Sequence, residues 1–500
     1  MTSLVYLRNK TNDRVYVYVN EKVTDKGGRS TYRRRCIGHL DEETGDIIPN
    51  THRSQSPSAD IEYIGMSKTI RELSDRIGLS EVLKITFGSK WKKILTCAMY
   101  GLTGNTDLSS IEKWSSRFRT PNESVITSDE ILDLLNEMDH EDIDVFQRIW
   151  RKRVKDREIY HISASPLISY DPRNFSSYGM MGVIPNMDMD ICYGIDTQLP
   201  ISYDLLPGRV FALEDIIDSE DRYQWINPST IQYILNEEYC EGYNVDVLVV
   251  SDRRFMIRMP ADHRISKRIM DDLQDEIMTY SNYRHSGGGY NFIKTHITEI
   301  AGKPCYAHMY YSAEAAEKEM GTFLSIIEKC RTELSSNRPV SAHTELYGKY
   351  FDMKGPDMEV ELNGTGIMEK TKYAGITVIL SDTIVDPIRV MDCFNLNSFV
   401  ERTFDNLQNT ADHLKLKLYL KHNLASRYFI QFITLILKSA IRKALIDNNL
   451  YRDHTAEDVV REISNIAVVK VSDRKRPLEI NLNYRQKMFM EILDPNMTRY

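Results

Sequence analysis

From Tyr428 to Leu445 the chain runs almost unbroken through apolar residues, among them Phe429, Phe432, Ile433, Leu435, Ile436, Leu437 and Ile441. A stretch of that length and hydropathy is either a membrane span or a helix buried in a large core. Gln431, Lys438, Arg442 and Lys443 inside it, with Arg427 just before it, favour the core. A length of 500 residues leaves room for such a core and suggests about three units of 150 residues each.

The N-terminus, Met1 to Tyr6, has no basic region followed by an apolar run, so it does not read as a secretory signal. Cys36, Cys97, Cys192, Cys240, Cys305, Cys330 and Cys393 are scattered, with no Cys-x-x-Cys and no Cys/His cluster, which argues against a zinc site and a disulfide framework. A reducing, cytoplasmic location with no membrane partner is the expectation.

Net charge is −8, which taken alone disfavours a nucleic-acid partner. Binding follows local patches rather than totals, however, and the positive charge gathers in the first third of the chain. One cluster is Arg33, Arg34 and Arg35. A second contains Lys90, Lys92 and Lys93, and a third contains Arg151, Lys152, Arg153 and Lys155.

Residues 4–19 alternate as a strand does, and residues 33–40 read as a second one beyond the turn at Asp25 to Gly28. From Ser67 to about Arg157 the apolar period becomes helical, with Ser128 placed to cap a helix that carries Asp129 and Glu130 in its first turn. Strand patterns then return at 158–163, 190–196 and 199–204. The apolar run 246–252 also has strand length and ends in Asp252, where a buried strand delivers a side chain to a site. Beyond it come a strand at 303–311, a charged helix from Ser312 to Leu334, and a strand at 373–381. Around Glu401, Val400, Phe404 and Leu407 fall at helical spacing, which puts Glu401 at the edge of a buried stripe.

Phe394, Asn397, Glu401 and Gln408 fall on the spacing of the Tyr, Arg, Glu, Lys signature of DDE transposases of bacterial and archaeal insertion sequences. Ile37-Gly38, Asp41, Thr44-Gly45 and Ile48-Pro49 are similar to a phrase near the start of the same family, and Leu206-Pro207-Gly208 resembles the end of its first hairpin. Asp252-Arg253-Arg254-Phe255 resembles its Asp-Arg-Gly-Phe, with a rival in Asp221-Arg222-Tyr223 followed by Thr230 to Leu235. These pieces occur in family order along nearly the whole chain.

The resemblance implies an α/β fold: a ribonuclease-H-like mixed sheet core split by an insertion, preceded by an N-terminal β hairpin and a helical domain. The expected boundaries are 1–55 for the hairpin region, 56–157 for a helical DNA-binding domain, 158–262 for the first part of the core, 263–370 for the insertion, 371–445 for the second part with the Glu401 helix, and 446–500 for a helical tail. The implied chemistry is phosphodiester hydrolysis and strand transfer with Mg²⁺ or Mn²⁺, held by three carboxylates because two dications about 4 Å apart need hard oxygen ligands. Here the first position falls on His161, the second on Asp252 or alternatively Asp221, and the third on Glu401, with Asp252 and Glu401 as the metal ligands. The implied partner is double-stranded DNA at transposon terminal repeats, with a homodimer on paired ends. Arg33, Arg34, Arg35, Lys90, Lys92, Lys93, Arg151, Lys152 and Arg153 are its expected contacts. Asn397 and Gln408 each stand where the family has a cation, and imidazole is a poor Mg²⁺ ligand, so impaired activity or a non-catalytic DNA-binding descendant is expected. A nuclease on the same core is the alternative.

Overall fold

The computed structural model describes residues 2–9, 12, 14–24, 30–41, 45–49, 59–105, 108–164, 187–207, 223–240, 242–251, 253–284, 292–354, 359–409, 420–471 and 477–494. They divide into two compact units, one of residues 1–62 and 467–480 and the other of residues 63–466 and 481–500.

The smaller unit is β-rich. Strands β1 (Thr2–Arg8), β2 (Val15–Thr24), β3 (Ser30–Leu40) and β4 (Ile47–Pro49) form an antiparallel sheet in sequence order. The alternation of residues 4–19 therefore belongs to two strands, because the turn between Arg8 and Val15 folds the segment on itself. A second sheet has the order β17-β16-β5, with β5 at Ala59–Tyr63, β16 at Ala467–Val471 and β17 at Leu478–Glu479.

The larger unit starts with helices: α1 (Gly65–Ile77), α2 (Leu79–Phe87), α3 (Trp91–Leu102), α4 (Ile111–Ser115), α5 (Ser128–Glu137) and α6 (His140–Val154). The cap of α5 is Thr127 rather than Ser128: its hydroxyl accepts from the Glu130 N–H while the Glu130 carboxylate accepts from the Thr127 N–H. Glu three residues beyond the cap closes this reciprocal box, which a cap at Ser128 would leave open.

Strands β6 (Ile159–Ala164), β7 (Met187–Gly194), β8 (Pro200–Pro207), β9 (Ile231–Leu235) and β10 (Arg254–Met259) come next, with helix α7 (Asn244–Val250) between the last two. The run at 246–252, expected as a strand, lies largely in α7. A short apolar run fits either state, and here β10 follows it and takes the sheet position beside β9. Then follow α8 (Arg264–Ile277), β11 (Phe292–Ile300), β12 (Lys303–Tyr311), α9 (Ala313–Ser335), α10 (Thr344–Tyr350), β13 (Phe351–Lys354), β14 (Glu359–Leu362), α11 (Gly364–Thr371) and β15 (Ile376–Ser381). Helices α12 (Pro387–Asn409), α13 (Leu420–Asp447), α14 (Ala456–Ser464) and α15 (Tyr484–Leu493) complete the unit.

Eight strands make one mixed sheet in the order β11-β12-β15-β10-β9-β6-β7-β8. Strands β6, β7 and β8 are antiparallel neighbours, while β9 runs parallel to β6 and β10 parallel to β9. Side chains alternate between the two faces. Tyr160, Ile162, Ile191, Ile234 and Met256 face the helical layer that includes α12 and α13. Ile159, Cys192, Tyr233, Leu235, Phe255 and Ile257 face α7 and α8.

Helix α13 is the centre of the first layer. From Tyr428 to Leu445 nearly every side chain is buried, and Phe429 lies 5.1 Å from the Phe87 ring and 5.0 Å from the Phe146 ring. Its polar side chains are used inside the protein: Gln431 donates to the Thr403 carbonyl, and Arg442 donates to Gln198 at 2.9 Å. Gly101 of α3 packs where Thr434 approaches, and a Cβ there would collide with that hydroxyl. Among the described residues no helix is long and apolar enough to cross a membrane.

His308 on β12 ties the far side of the sheet to the segment leading into α12, through Thr295 at 2.9 Å and the Ile384 carbonyl at 2.9 Å. Burial holds its pKa below the ordinary imidazole value, against a smaller opposing pull from the Ile384 carbonyl. A depressed folded pKa gives stability that is complete above the unfolded value of about 6.5 and is lost as pH falls through the folded one. His308→Gln is expected to shrink the drop in Tm between about pH 7.5 and pH 5. An unchanged drop in thermal melts would remove His308 as its cause.

Candidate functional site

The C-terminal end of a buried parallel strand is where an open sheet presents side chains to a site. All five residues of β9 are buried, and Asn236 follows the last of them. By alternation Asn236 shares the face of Gln232 and Ile234, the face that α12 covers.

Helix α12 brings Asn397 and Glu401 to the same corner, one turn apart on one stripe. Asn236 donates an amide N–H to Glu401 Oε1 at 3.0 Å. Asn397, only 2% exposed, donates to Asn236 Oδ1 at 3.0 Å and to the same Glu401 oxygen at 3.4 Å. An ionised carboxylate can only accept, so it orients both amides with their nitrogens toward it. On the adjacent strand Arg258 lies 5.3 Å from the centre of the Phe394 ring, which adds a cation between β10 and α12.

Among the described side chains of β6, those on this face are Tyr160 and Ile162. Burial pushes the Tyr160 phenol well above its usual value and the neighbouring Cys393 thiol up to about 11, so both stay neutral beside α12. Neither Tyr160 nor Ile162 carries a carboxylate.

His161, expected at the first acidic position, is on the opposite face. A strand turns successive side chains to opposite sides, so the residue between Tyr160 and Ile162 cannot join them at α12. His161 is 2% exposed and packs against the rings of Tyr223 and Tyr233, with Nε2 3.4 Å from an Asp190 oxygen. It therefore packs in the core on the face of Cys192 and Tyr233, away from Glu401. Asp252 and Asp221, the two candidates for the second acid, lie outside the described residues. Asn236 was not among the expected site residues. The signal for it was the buried pattern Ile231 to Leu235 ending in a polar side chain, in the segment that the rival alignment already singled out.

Two-metal chemistry needs several carboxylates converging on a pair of dications. Among the described residues the donor set at Glu401 Oε1 does not fit: amides from Asn236 and Asn397 point N–H groups at that oxygen, the opposite of what a cation requires. Among the described residues the group of three or more acidic, histidine or cysteine ligands close enough for one ion is Cys330, Glu333 and His343, which excludes Glu401.

The expected DNA contacts are divided. Lys90, Lys92 and Lys93 each face a carboxylate of this chain, Glu137 at 3.0 Å, Glu123 at 3.3 Å and Glu130 at 2.9 Å, so their charge is partly neutralised at home. These pairs are partly exposed and weak. Arg151 is half-buried with its guanidinium 5.1 Å from the Trp225 ring. Arg148, Lys152, Arg153, Lys155 and Arg157 are exposed along the C-terminal end of α6 and just beyond it. Asp156, the acid within this run, is turned inward to accept from the Asp196 and Thr197 N–H groups at 2.8 and 3.1 Å. In the smaller unit Arg34 and Arg35 are exposed on β3, and Arg34 donates to Asn20 at 3.1 Å; the Arg33 side chain lies outside the described residues.

No protein-family model matches the chain, and no curated protein matches it. Among solved structures it is similar to a piggyBac transposase synaptic complex with hairpin DNA, at 9% identity and a TM-score of 0.32, over 81% of this chain and 82% of that one.

Proposed function

We propose that this chain is a transposase-derived protein that binds duplex DNA and does not cleave it in Mg²⁺. The observation that carries the reading is the 3.0 Å hydrogen bond from Asn236 to Glu401, an amide at the strand end where a DDE site keeps its second carboxylate. The strand order β8-β7-β6-β9-β10, three antiparallel strands followed by two parallel ones, supports a ribonuclease-H-like core, and the position of α12 across its face supports Glu401 as the third site residue. At this corner Asn236 and Asn397 both donate to Glu401 Oε1, so the groups aimed at that oxygen are amide N–H donors and not further carboxylates. The exposed basic run at the end of α6 supports contact with phosphates, because its cations reach solvent while the intervening acid, Asp156, is engaged by the Asp196 and Thr197 N–H groups.

Duplex binding is expected to weaken steeply as salt rises, with a logarithmic slope of about −0.9 per phosphate contacted. Arg148→Ala, Lys152→Ala and Lys155→Ala together are expected to make that slope shallower, by about 0.9 for each cation that meets a phosphate. A gel-shift series across salt reads both, and the same samples with Mg²⁺ read cleavage. Binding that is absent, or a slope indifferent to the triple substitution, would sink the DNA half of the proposal. Mg²⁺-dependent cleavage abolished by Glu401→Ala would sink the other half, and Asp221→Asn and Asp252→Asn would then identify the missing acid.

A further inference from the structure

We propose that Cys330, Glu333 and His343 form a Zn²⁺ site in the part of the larger unit built from α9, α10, α11 and the hairpin β13-β14. Cys330 and Glu333 are three residues apart on α9 and so share a helix face. After α9 ends, a short helical turn at Ser341–His343 brings the imidazole back against them. The Cys330 sulfur, a Glu333 oxygen and a His343 ring nitrogen all lie within 4.8 Å of one another.

That spacing suits zinc. Zn²⁺ bonds of about 2.0 to 2.3 Å in a tetrahedron hold neighbouring ligand atoms about 3.3 to 3.8 Å apart, within reach of small side-chain rotations. One thiolate, one imidazole and one carboxylate are a borderline-soft set that Mg²⁺ would not select. The Glu333 carboxylate is already oriented: the Tyr347 hydroxyl donates to it at 2.6 Å and itself accepts the Val340 N–H at 2.9 Å. Such an outer partner is what fixes a metal ligand. Cys330 is fully buried, while the side chains of Glu333 and His343 are 13% and 20% exposed, so an ion can reach the group from the side of those two residues.

The surrounding packing gives the ion a structural task. The core here consists of Ile327, Cys330, Tyr350 and Phe351 with a few partly buried neighbours. Cores that small are commonly stapled by a metal or a disulfide, and Cys330 forms no disulfide. Binding displaces the thiol proton of Cys330 to solvent and leaves a thiolate on the ion.

The test uses the full chain. Protein purified from zinc-supplemented medium is expected to retain about one Zn²⁺ per chain through gel filtration, by elemental analysis. Exchange with Co²⁺ alone should give a sulfur-to-cobalt charge-transfer band. Cys330→Ser should abolish the band, and His343→Gln, which keeps the thiol, should weaken metal binding by more than about tenfold. Tyr347→Phe should keep the band and weaken binding by about ten- to a hundredfold. Folded wild-type protein that holds no stoichiometric zinc and gives no cobalt band overturns the proposal. So does a band that survives Cys330→Ser.

Discussion

Substituting aspartate for His161 is expected to destabilise the fold by about 3 to 5 kcal/mol and to create no Mg²⁺-dependent cleavage. The resemblance to DDE transposases makes this the obvious repair, since His161 falls where that family has its first acid. The geometry gives the opposite result. His161 sits on the sheet face away from α12, nearly sealed from solvent, between the rings of Tyr223 and Tyr233 and 3.4 Å from Asp190. An aspartate there removes a basic group that lies 3.4 Å from Asp190 and puts a second carboxylate in its place, so the buried pair must take up a proton or hold two like charges together. Against a typical domain stability of about 5 to 15 kcal/mol this is a large share. Urea unfolding gives the stability, and a cleavage assay on duplex DNA gives the activity. Asn236→Asp is the contrasting variant, because it places a carboxylate beside Glu401 on the α12 face. Mn²⁺ is expected to raise its Tm while leaving that of the unmodified protein unchanged. A His161→Asp protein as stable as the original and newly able to cleave would refute this placement of the site.

Truncating Phe429 to alanine should cost about 3 to 5 kcal/mol, through lost transfer energy and the cavity left behind. Phe429 is fully buried on α13 and meets Phe87 of α2 and Phe146 of α6, the latter edge to face at 5.0 Å. Those contacts join the helical layer to the helix that packs on the sheet, so the loss is felt across both. Phe429→Leu keeps most of the volume and is expected to cost much less. The comparison is made by urea midpoints. An alanine variant within about 1 kcal/mol of the original would mean that the site collapses around the gap, contrary to close packing.

How much of this was legible in the sequence follows from which signals are local. The apolar run 428–445 specified a buried helix because its length and its internal charges leave few alternatives, and α13 spans it. Helix α9 was legible as well: its surface is charged and Ser312 caps it by accepting the Ala315 N–H. The run at 246–252 was not. Val and Leu in seven residues fit either period, and the choice of a helix was made by β10, which lies beside β9 and leaves the run to cross over the face as α7.

The site divides in the same way. Sequence spacing placed Phe394, Asn397 and Glu401 on one helix, because positions on a helix are fixed by a local repeat. It could not say what that helix meets. Asn236 is 165 residues from Glu401, and only the parallel pairing of β6, β9 and β10 puts it within 3.0 Å. The same pairing sends His161 to the far face, since a strand's side chains alternate and one residue's difference in register selects the other side. The sequence by itself determined the long helices α9 and α13, the burial of residues 428–445, and that Glu401 lies at the edge of a core. Which face of the sheet each strand residue serves, and therefore which groups stand beside Glu401, was decided only when strands far apart in the chain were paired, because register between distant strands is set by the packing of the whole sheet and not by any local pattern.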